Sequence, residues 1–282
     1  PVQVLTWHEI VNDRVGGVAV TVTYCPLCNT AIVFERTVYG KLLDFGTTGR
    51  LRYSNMIMYD RQSETWWQQG NGRGIAGEHA GRTLVQRPVS LIAWADFKAA
   101  HPGGKVLSRE TGIQRSYGVN PYAGYDNPDT RPFLYQGPET PTRLPALARV
   151  LALEIGGDTV AFPYQALAEQ RVLTDTVGGQ PVVVLWSAGT ASPLDAGQVA
   201  DGRDVGAAAA FSRELDGRLL DFVYINGAIT DVQTGSTWNH LGQALAGRLK
   251  DRQLTELTAV NHFWFSWAAF HPATRVRGML GT

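Results

Sequence analysis

The chain resembles itself, and this limits its fold more than any other feature of the sequence. Residues 1–28 align without a gap on 163–190. Pro1 meets Pro163, Gln3 meets Gln165, Leu5 meets Leu167 and Asp13 meets Asp175, while Val15-Gly16-Gly17 meets Val177-Gly178-Gly179. Phe34, Arg36 and Gly40-Lys41-Leu42-Leu43-Asp44-Phe45 then meet Phe211, Arg213 and Gly217-Arg218-Leu219-Leu220-Asp221-Phe222. The second copy gains an Ala/Gly-rich insertion around 191–210. Asp60, Gln62 and Thr65-Trp66 meet Asp231, Gln233 and Thr237-Trp238. Trp94, His101-Pro102 and Val106 meet Trp264, His271-Pro272 and Val276. Ordered matches over about 100 residues predict a tandem duplication, with two β lobes related by pseudo-symmetry.

Each copy reads as mainly β, an α+β chain with few short helices. Alternation with a period of two predicts strands over 18–24, 30–38 and 41–47, with others near 52–60, 64–69 and 82–87. Short helices are expected over 5–11 and 93–100, the second stopped by His101-Pro102-Gly103-Gly104. The lobes fall at 1–107 and 149–282. Between them, 108–148 holds Tyr117, Tyr122, Tyr125, Phe133 and Tyr135 among its prolines and glycines. A free linker is poor in aromatics, so this segment is expected to wrap across both lobes. A hairpin-like unit, 149–162, precedes Pro163, and nothing equivalent precedes Pro1. The expectation is a chain that starts part-way through an element, which leaves a signal peptide or anchor open.

Tyr24-Cys25-Pro26-Leu27-Cys28-Asn29 holds the only two cysteines in 282 residues, on a tight turn between two alternating runs. A redox Cys-x-x-Cys of the thioredoxin kind sits at a helix start, where the dipole lowers a thiol pKa. On a β-turn, two thiols can point the same way and form half of a metal site. Comparison of the copies suggests the other half. Cys25 and Cys28 face Ser187 and Thr190, and His8 and Glu9 face Gln170 and Arg171. Both thiols and the imidazole are lost together, as a shared ligand set predicts. The expected centre is therefore a metal site of Cys25, Cys28 and His8. Copper is favoured by softness and zinc is second, with Glu9 as a proton handler. Two alternatives stand beside it: a Cys25–Cys28 disulfide stapling a structural or interaction subunit, and a thiol–disulfide oxidoreductase with an exposed, activated Cys25.

Other candidates read as structural. His101 and His271 recur at the same helix end, where they cap the last carbonyls. Trp66, Trp94, Trp238 and Trp264 recur as core. Met56 and Met58 share one strand face, near enough in register to bring a thioether toward the thiols or to fill core. Tyr59 and Asp60 border the expected site, Asp60 leaning structural because Asp231 repeats it. His79, His240 and His262 have no counterparts and are expected on the surface or in loops. No phosphate loop, Gly-x-Ser-x-Gly or His-Glu-x-x-His is present. With 25 basic and 25 acidic residues the net charge is zero, which argues against nucleic acid as a partner. No apolar run approaches the roughly 20 residues of a membrane span.

Several long motifs together resemble a known family. Trp7-His8-Glu9-Ile10-Val11-Asn12-Asp13, Thr23-Tyr24-Cys25-Pro26-Leu27-Cys28-Asn29, Met58-Tyr59-Asp60-Arg61-Gln62, Ser108-Arg109-Glu110-Thr111-Gly112 and Asn120-Pro121-Tyr122-Ala123-Gly124-Tyr125-Asp126 are similar to the bacterial and archaeal domain of unknown function 3179. Thr234-Gly235-Ser236-Thr237-Trp238 and Phe263-Trp264-Phe265-Ser266-Trp267 resemble its C-terminal half. The resemblance implies an extracytoplasmic place, secreted, periplasmic or lipid-anchored, and names no activity; the alternative of a structural or interaction subunit puts the chain in an assembly with other proteins there. Taken with the residues, it leads to the expectation of an extracytoplasmic, two-lobed copper-binding protein with metal-centred redox chemistry as its enzymatic form.

Overall fold

The computed structural model describes residues 1–279 and is mainly β, with short α-helices at Val2–His8, Trp94–Ala100, Tyr164–Gln170 and Trp264–Phe270. In the first half, Ile10–Val15, Val18–Cys25, Thr30–Glu35 and Gln86–Arg87 form one sheet in that order. Gly16 and Gly17, at φ 56° and 84°, close its first hairpin, because two successive positive φ values are what a tight hairpin needs. Cys25 pairs with Thr30, so Pro26–Cys28 fill the second turn as one 3₁₀ turn, ended by Asn29 at φ 49°. Proline at the start of that turn supplies a preset φ and lacks the N–H that would go unpaired. A second sheet runs Phe45–Arg52, Asn55–Asp60, Trp66–Gln68, Gly74–Ala76. Ile32, Phe34, Phe45, Met56, Met58 and Trp67 pack between the two sheets with both cysteines.

The second half presents the same kinds of element in the same order. Val172–Val177, Gln180–Ser187 and Ala207–Ser212 form one sheet, and Phe222–Ile225, Ala228–Asp231, Thr237–Trp238 and Ala244–Ala246 another. Individual bonds recur too. Asp60 is fully buried and accepts from Trp67 Nε1 at 2.9 Å, and Asp231, also buried, accepts from Trp238 Nε1 at 3.0 Å. Arg36 pairs with Asp44 and Arg213 with Asp221, and Gln62 and Gln233 donate to those same aspartates. These bonds correct the register read from sequence: the partner of Trp238 is Trp67 and not Trp66. Trp94 also departs from expectation. It is 56% exposed on its helix, whereas Trp264 is wholly buried.

The expected hairpin before Pro163 is present. Arg149–Ile155 and Asp158–Pro163 pair in a third sheet, flanked by Ala259–Phe263 and Arg275–Val276. The Ala259–Phe263 strand leads directly into the Trp264–Phe270 helix, and Val260, Phe263 and Phe265 join the core cluster that holds the cysteines. The Cys-Pro-Leu-Cys turn therefore lies where the two halves meet.

The segment 108–148 contains little regular structure but is packed, as its aromatics suggested. Tyr122, Tyr125 and Tyr135 lie against the cysteine-bearing cluster, Tyr125 edge-on to Phe263 and Tyr135 edge-on to Phe265. Its Asp126 carboxylate is 1% exposed and takes hydrogen bonds from Arg149, Arg203 and Ser192. Phe133 is the exception, 58% exposed.

Candidate functional site

Cys25 and Cys28 are free thiols, 2% and 0% exposed. Extended backbone delivers Cys25 at a strand end, and the 3₁₀ turn swings Cys28 to the same side. Both sulfurs reach one acceptor, the Ser54 carbonyl, at 3.9 and 3.4 Å. Cys28 also receives a proton donor from Asn55 Nδ2 at 3.4 Å and one from Ser266. The thiols are unequal in consequence. Burial, then the neighbouring Cys28 sulfur, pushes the Cys25 thiol well above the ordinary range. Burial alone would raise Cys28 as well, but hydrogen bonds from Cys25, Ser266 and Asn55 outweigh it and hold that thiol below the ordinary range. Of the two thiols, Cys28 is the one that gives up its proton more readily.

A polar network without solvent exposure supports this sulfur. Asn55 Nδ2 also donates to Gln69 Oε1 at 2.9 Å, while Asn55 Oδ1 accepts from Gln68 Nε2 at 2.5 Å and the Gly70 amide at 2.8 Å. Gln69 Nε2 donates to Thr23 Oγ1 and the Thr30 carbonyl, at 3.0 and 3.1 Å. Thr30 Oγ1 lies 3.0 Å from the Cys28 carbonyl and 2.9 Å from His262 Nδ1. The threonine hydroxyl has one proton. Spent on the Cys28 carbonyl, it leaves Thr30 to accept from His262 Nδ1, so Nε2 is the bare acceptor. That Nε2 has no partner among the described residues. Burial lowers the His262 pKa to about 3, so the ring is neutral. Buried amides, hydroxyls and an imidazole are costly unless mutually paired, and here they converge on one cysteine.

The expected metal ligands are brought together only in part. His8 ends its helix half-buried, with Nε2 2.5 Å from the Tyr117 hydroxyl. Tyr117 belongs to the 109–117 loop, which lines an open recess of about 730 Å³. Among the described residues no group of three His, Cys, Asp or Glu side chains is placed to hold a metal ion. Glu9 stays closer to the thiols: its charge acts on Cys25 and Tyr122, and burial raises its own pKa. It stands at φ 59°, with its carbonyl accepting the Tyr24 amide at 2.7 Å. Arg171 repeats that backbone at φ 65° and accepts the Trp186 amide, so the bend belongs to the frame and only the carboxylate is particular to the first half.

Met56 and Met58, 3% and 0% exposed, share the core cluster with both cysteines. His79, His240 and His262 are all buried, correcting their assignment to the surface; His79 and His240 do lie in turns, whereas His262 lies in the Ala259–Phe263 strand. Sequence reading also missed Ser54, Asn55, Gln69 and Ser266. One signal was available: Ser266 is the lone hydroxyl in the apolar helix Trp264–Phe270.

A loop roofs the centre. The Tyr125 hydroxyl donates to the Leu27 carbonyl at 2.9 Å, inside the Cys-Pro-Leu-Cys turn, and Ser54 Oγ donates to the Phe133 carbonyl. No helix among the described residues is long and apolar enough to cross a membrane. No curated protein and no solved structure matches the chain. Its residues 1–274 match the family model described as protein of unknown function (DUF3179), and the chain belongs to that family.

Proposed function

We propose that the Cys25–Cys28 pair is a dithiol centre that holds a soft metal ion, copper(I) first. The observation that carries this reading is the approach of both sulfurs to the single Ser54 carbonyl, with Asn55 and Ser266 donating to Cys28. Zinc takes four ligands, and no third histidine, cysteine or carboxylate is grouped with this pair among the described residues. Copper(I) is satisfied by two thiolates, and the neighbouring methionines make the surroundings softer still. Seating one ion on both sulfurs requires both thiol protons to leave, that of Cys28 the more readily, and Glu9 is the carboxylate whose charge acts on Cys25. On this reading His8 serves the Tyr117 loop and is not a ligand.

Thiol–disulfide exchange with a protein partner has less support, because a thiol 2% exposed and raised in pKa is neither reachable nor nucleophilic. We further infer that the two β lobes, 1–107 and 149–282, descend from a tandem duplication, with 108–148 as the wrapping segment. The recurring Asp–Trp and Arg–Asp bonds support this. An extracytoplasmic location, among other proteins there, is part of the same proposal and suits a copper-holding role.

Copper content after anaerobic loading against a bicinchoninate competitor tests the reading. One ion per chain is expected in the wild type and in His8→Ala, and none in Cys25→Ser or Cys28→Ser. Equal copper in all four preparations would sink it.

A further inference from the structure

On the other side of the Tyr53-Ser54 turn lies a cleft of about 580 Å³, bounded by the tip of the Arg52–Asn55 hairpin, the 71–81 loop and the end of the last helix. Its polar side chains are nearly all donors. Arg52 and Arg73 both line it, and among the described residues neither has a carboxylate within 4.0 Å. No Asp or Glu is in its wall. Asn71 spends its side-chain oxygen on the Arg73 amide at 3.0 Å, which leaves its side-chain nitrogen as a third donor. The Arg52 guanidinium lies over Tyr53 at 4.9 Å and Phe270 at 6.0 Å, so an aromatic floor holds one cation in place.

Two guanidinium groups without a carboxylate partner, together with an amide nitrogen, present positive charge and hydrogen-bond donors to one cleft, the complement of an acceptor-only, negatively charged group. Guanidinium forks fit carboxylate and phosphate oxygens in pairs. We propose that this cleft is an oxyanion-binding site, taking a small ligand with a phosphate or carboxylate group. The cleft is linked to the cysteines through one peptide bond: Tyr53 lines the cleft, and the carbonyl of the next residue, Ser54, meets both sulfurs. The proposal does not depend on a metal at the thiols, and its test reads anion binding alone.

Titration calorimetry of the intact chain with inorganic phosphate, and separately with malonate, at constant ionic strength held with chloride, is the test. Saturable binding of at least one probe is expected. Arg73→Gln should weaken it by about tenfold or more, since one charge-assisted bond is lost. Preference for phosphate or for malonate identifies which source supplies the anion. Arg131→Gln, in the exposed part of 108–148, should leave binding unchanged, and circular dichroism of each variant shows that it is folded. Absence of saturable binding of both probes, or Arg73→Gln binding as tightly as wild type, overturns the proposal.

Discussion

Asn55 reaches the Cys28 sulfur with its side-chain nitrogen at 3.4 Å, while its side-chain oxygen takes protons from Gln68 and the Gly70 amide. One residue thus joins the thiol to the second sheet. Asn55→Ala would leave the Gln68 and Gln69 amides and the Gly70 N–H short of partners in a region closed to water. At about 1–3 kcal/mol for each buried group left unsatisfied, the expected loss exceeds about 3 kcal/mol. Urea unfolding measures it. A loss below about 1 kcal/mol would mean that the network reorganises easily and does not fix the sulfur.

Asp126 should control access to the thiols. Its buried carboxylate ties the roof loop to Arg149, 9% exposed at its side chain, and to the more exposed Arg203. The guanidinium beside it holds this carboxyl below the ordinary range despite burial. In Asp126→Asn the Arg149 charge loses its partner, a change that typically costs about 3–5 kcal/mol when the group is buried. Much of that strain can be relieved by opening the loop. Maleimide labelling of Cys25 and Cys28 without denaturant is therefore expected to accelerate by about tenfold or more, as local opening becomes cheaper than global unfolding. Labelling at the wild-type rate would show that the loop is not the gate.

Local patterns in the sequence carried the frame of this site and missed most of its contents. Alternation on either side of Cys25-Pro26-Leu27-Cys28 sufficed to place two strands and a turn, since side-chain period follows directly from backbone geometry. The repeat picked out Asp60 and Asp231 as structural, and both are buried acceptors of a tryptophan N–H. It misjudged the tryptophan by one residue, because Trp66 and Trp67 look alike on paper and only one faces inward. The absence of His8 and both cysteines from the second copy groups the three, yet joint absence does not set direction. His8 ends a helix whose last turn points to Tyr117. His262 and Ser266 come from the far end of the chain, and Asn55 from another sheet. Nothing in the residues adjoining Cys28 encodes partners that only tertiary packing brings there.

His262 should leave a mark on acid stability. Its pKa in the fold is lowered to about 3, from an ordinary value near 6.5, because burial disfavours the charged ring. Between these values the unfolded chain binds a proton that the folded chain does not. Stability therefore rises with pH across that window and falls on acidification from about pH 6.5 toward pH 3, at up to about 1.4 kcal/mol per pH unit from this one group. His262→Gln removes that proton from the balance. Its stability, whatever its absolute value, should vary less steeply between pH 6.5 and pH 4 than that of the wild type, by close to one proton. Parallel curves for the two proteins would place a water or another partner at Nε2 that lets the folded ring titrate.

The Tyr53-Ser54 turn sets the hairpin of the first half apart from the hairpin at the like place in the second. The corresponding hairpin of the second half is short, four residues on each strand, and turns on Asn226-Gly227 at φ 53° and 79°. The first-half hairpin has strands of eight and six residues and turns on Tyr53 and Ser54 at φ 55° and 62°. Asn and Gly enter the left-handed region readily, whereas other residues pay roughly 1–2 kcal/mol there. The longer hairpin carries its turn to the thiols and the arginine cleft, and the unsuited residues supply the Tyr53 ring at the cleft and the Ser54 hydroxyl that donates to the Phe133 carbonyl of the roof loop. Strain of this kind persists where side chains are needed for something other than the turn. Tyr53→Asn should thus stay as stable as the wild type within about 1 kcal/mol, relief of the backbone offsetting the lost contact with Phe270. The same substitution should weaken phosphate or malonate binding, because Arg52 loses the ring that holds it. Urea unfolding and calorimetry on one preparation read both quantities. A variant destabilised by more than about 2 kcal/mol, with unchanged anion affinity, would make Tyr53 a packing residue and return the turn to ordinary structure.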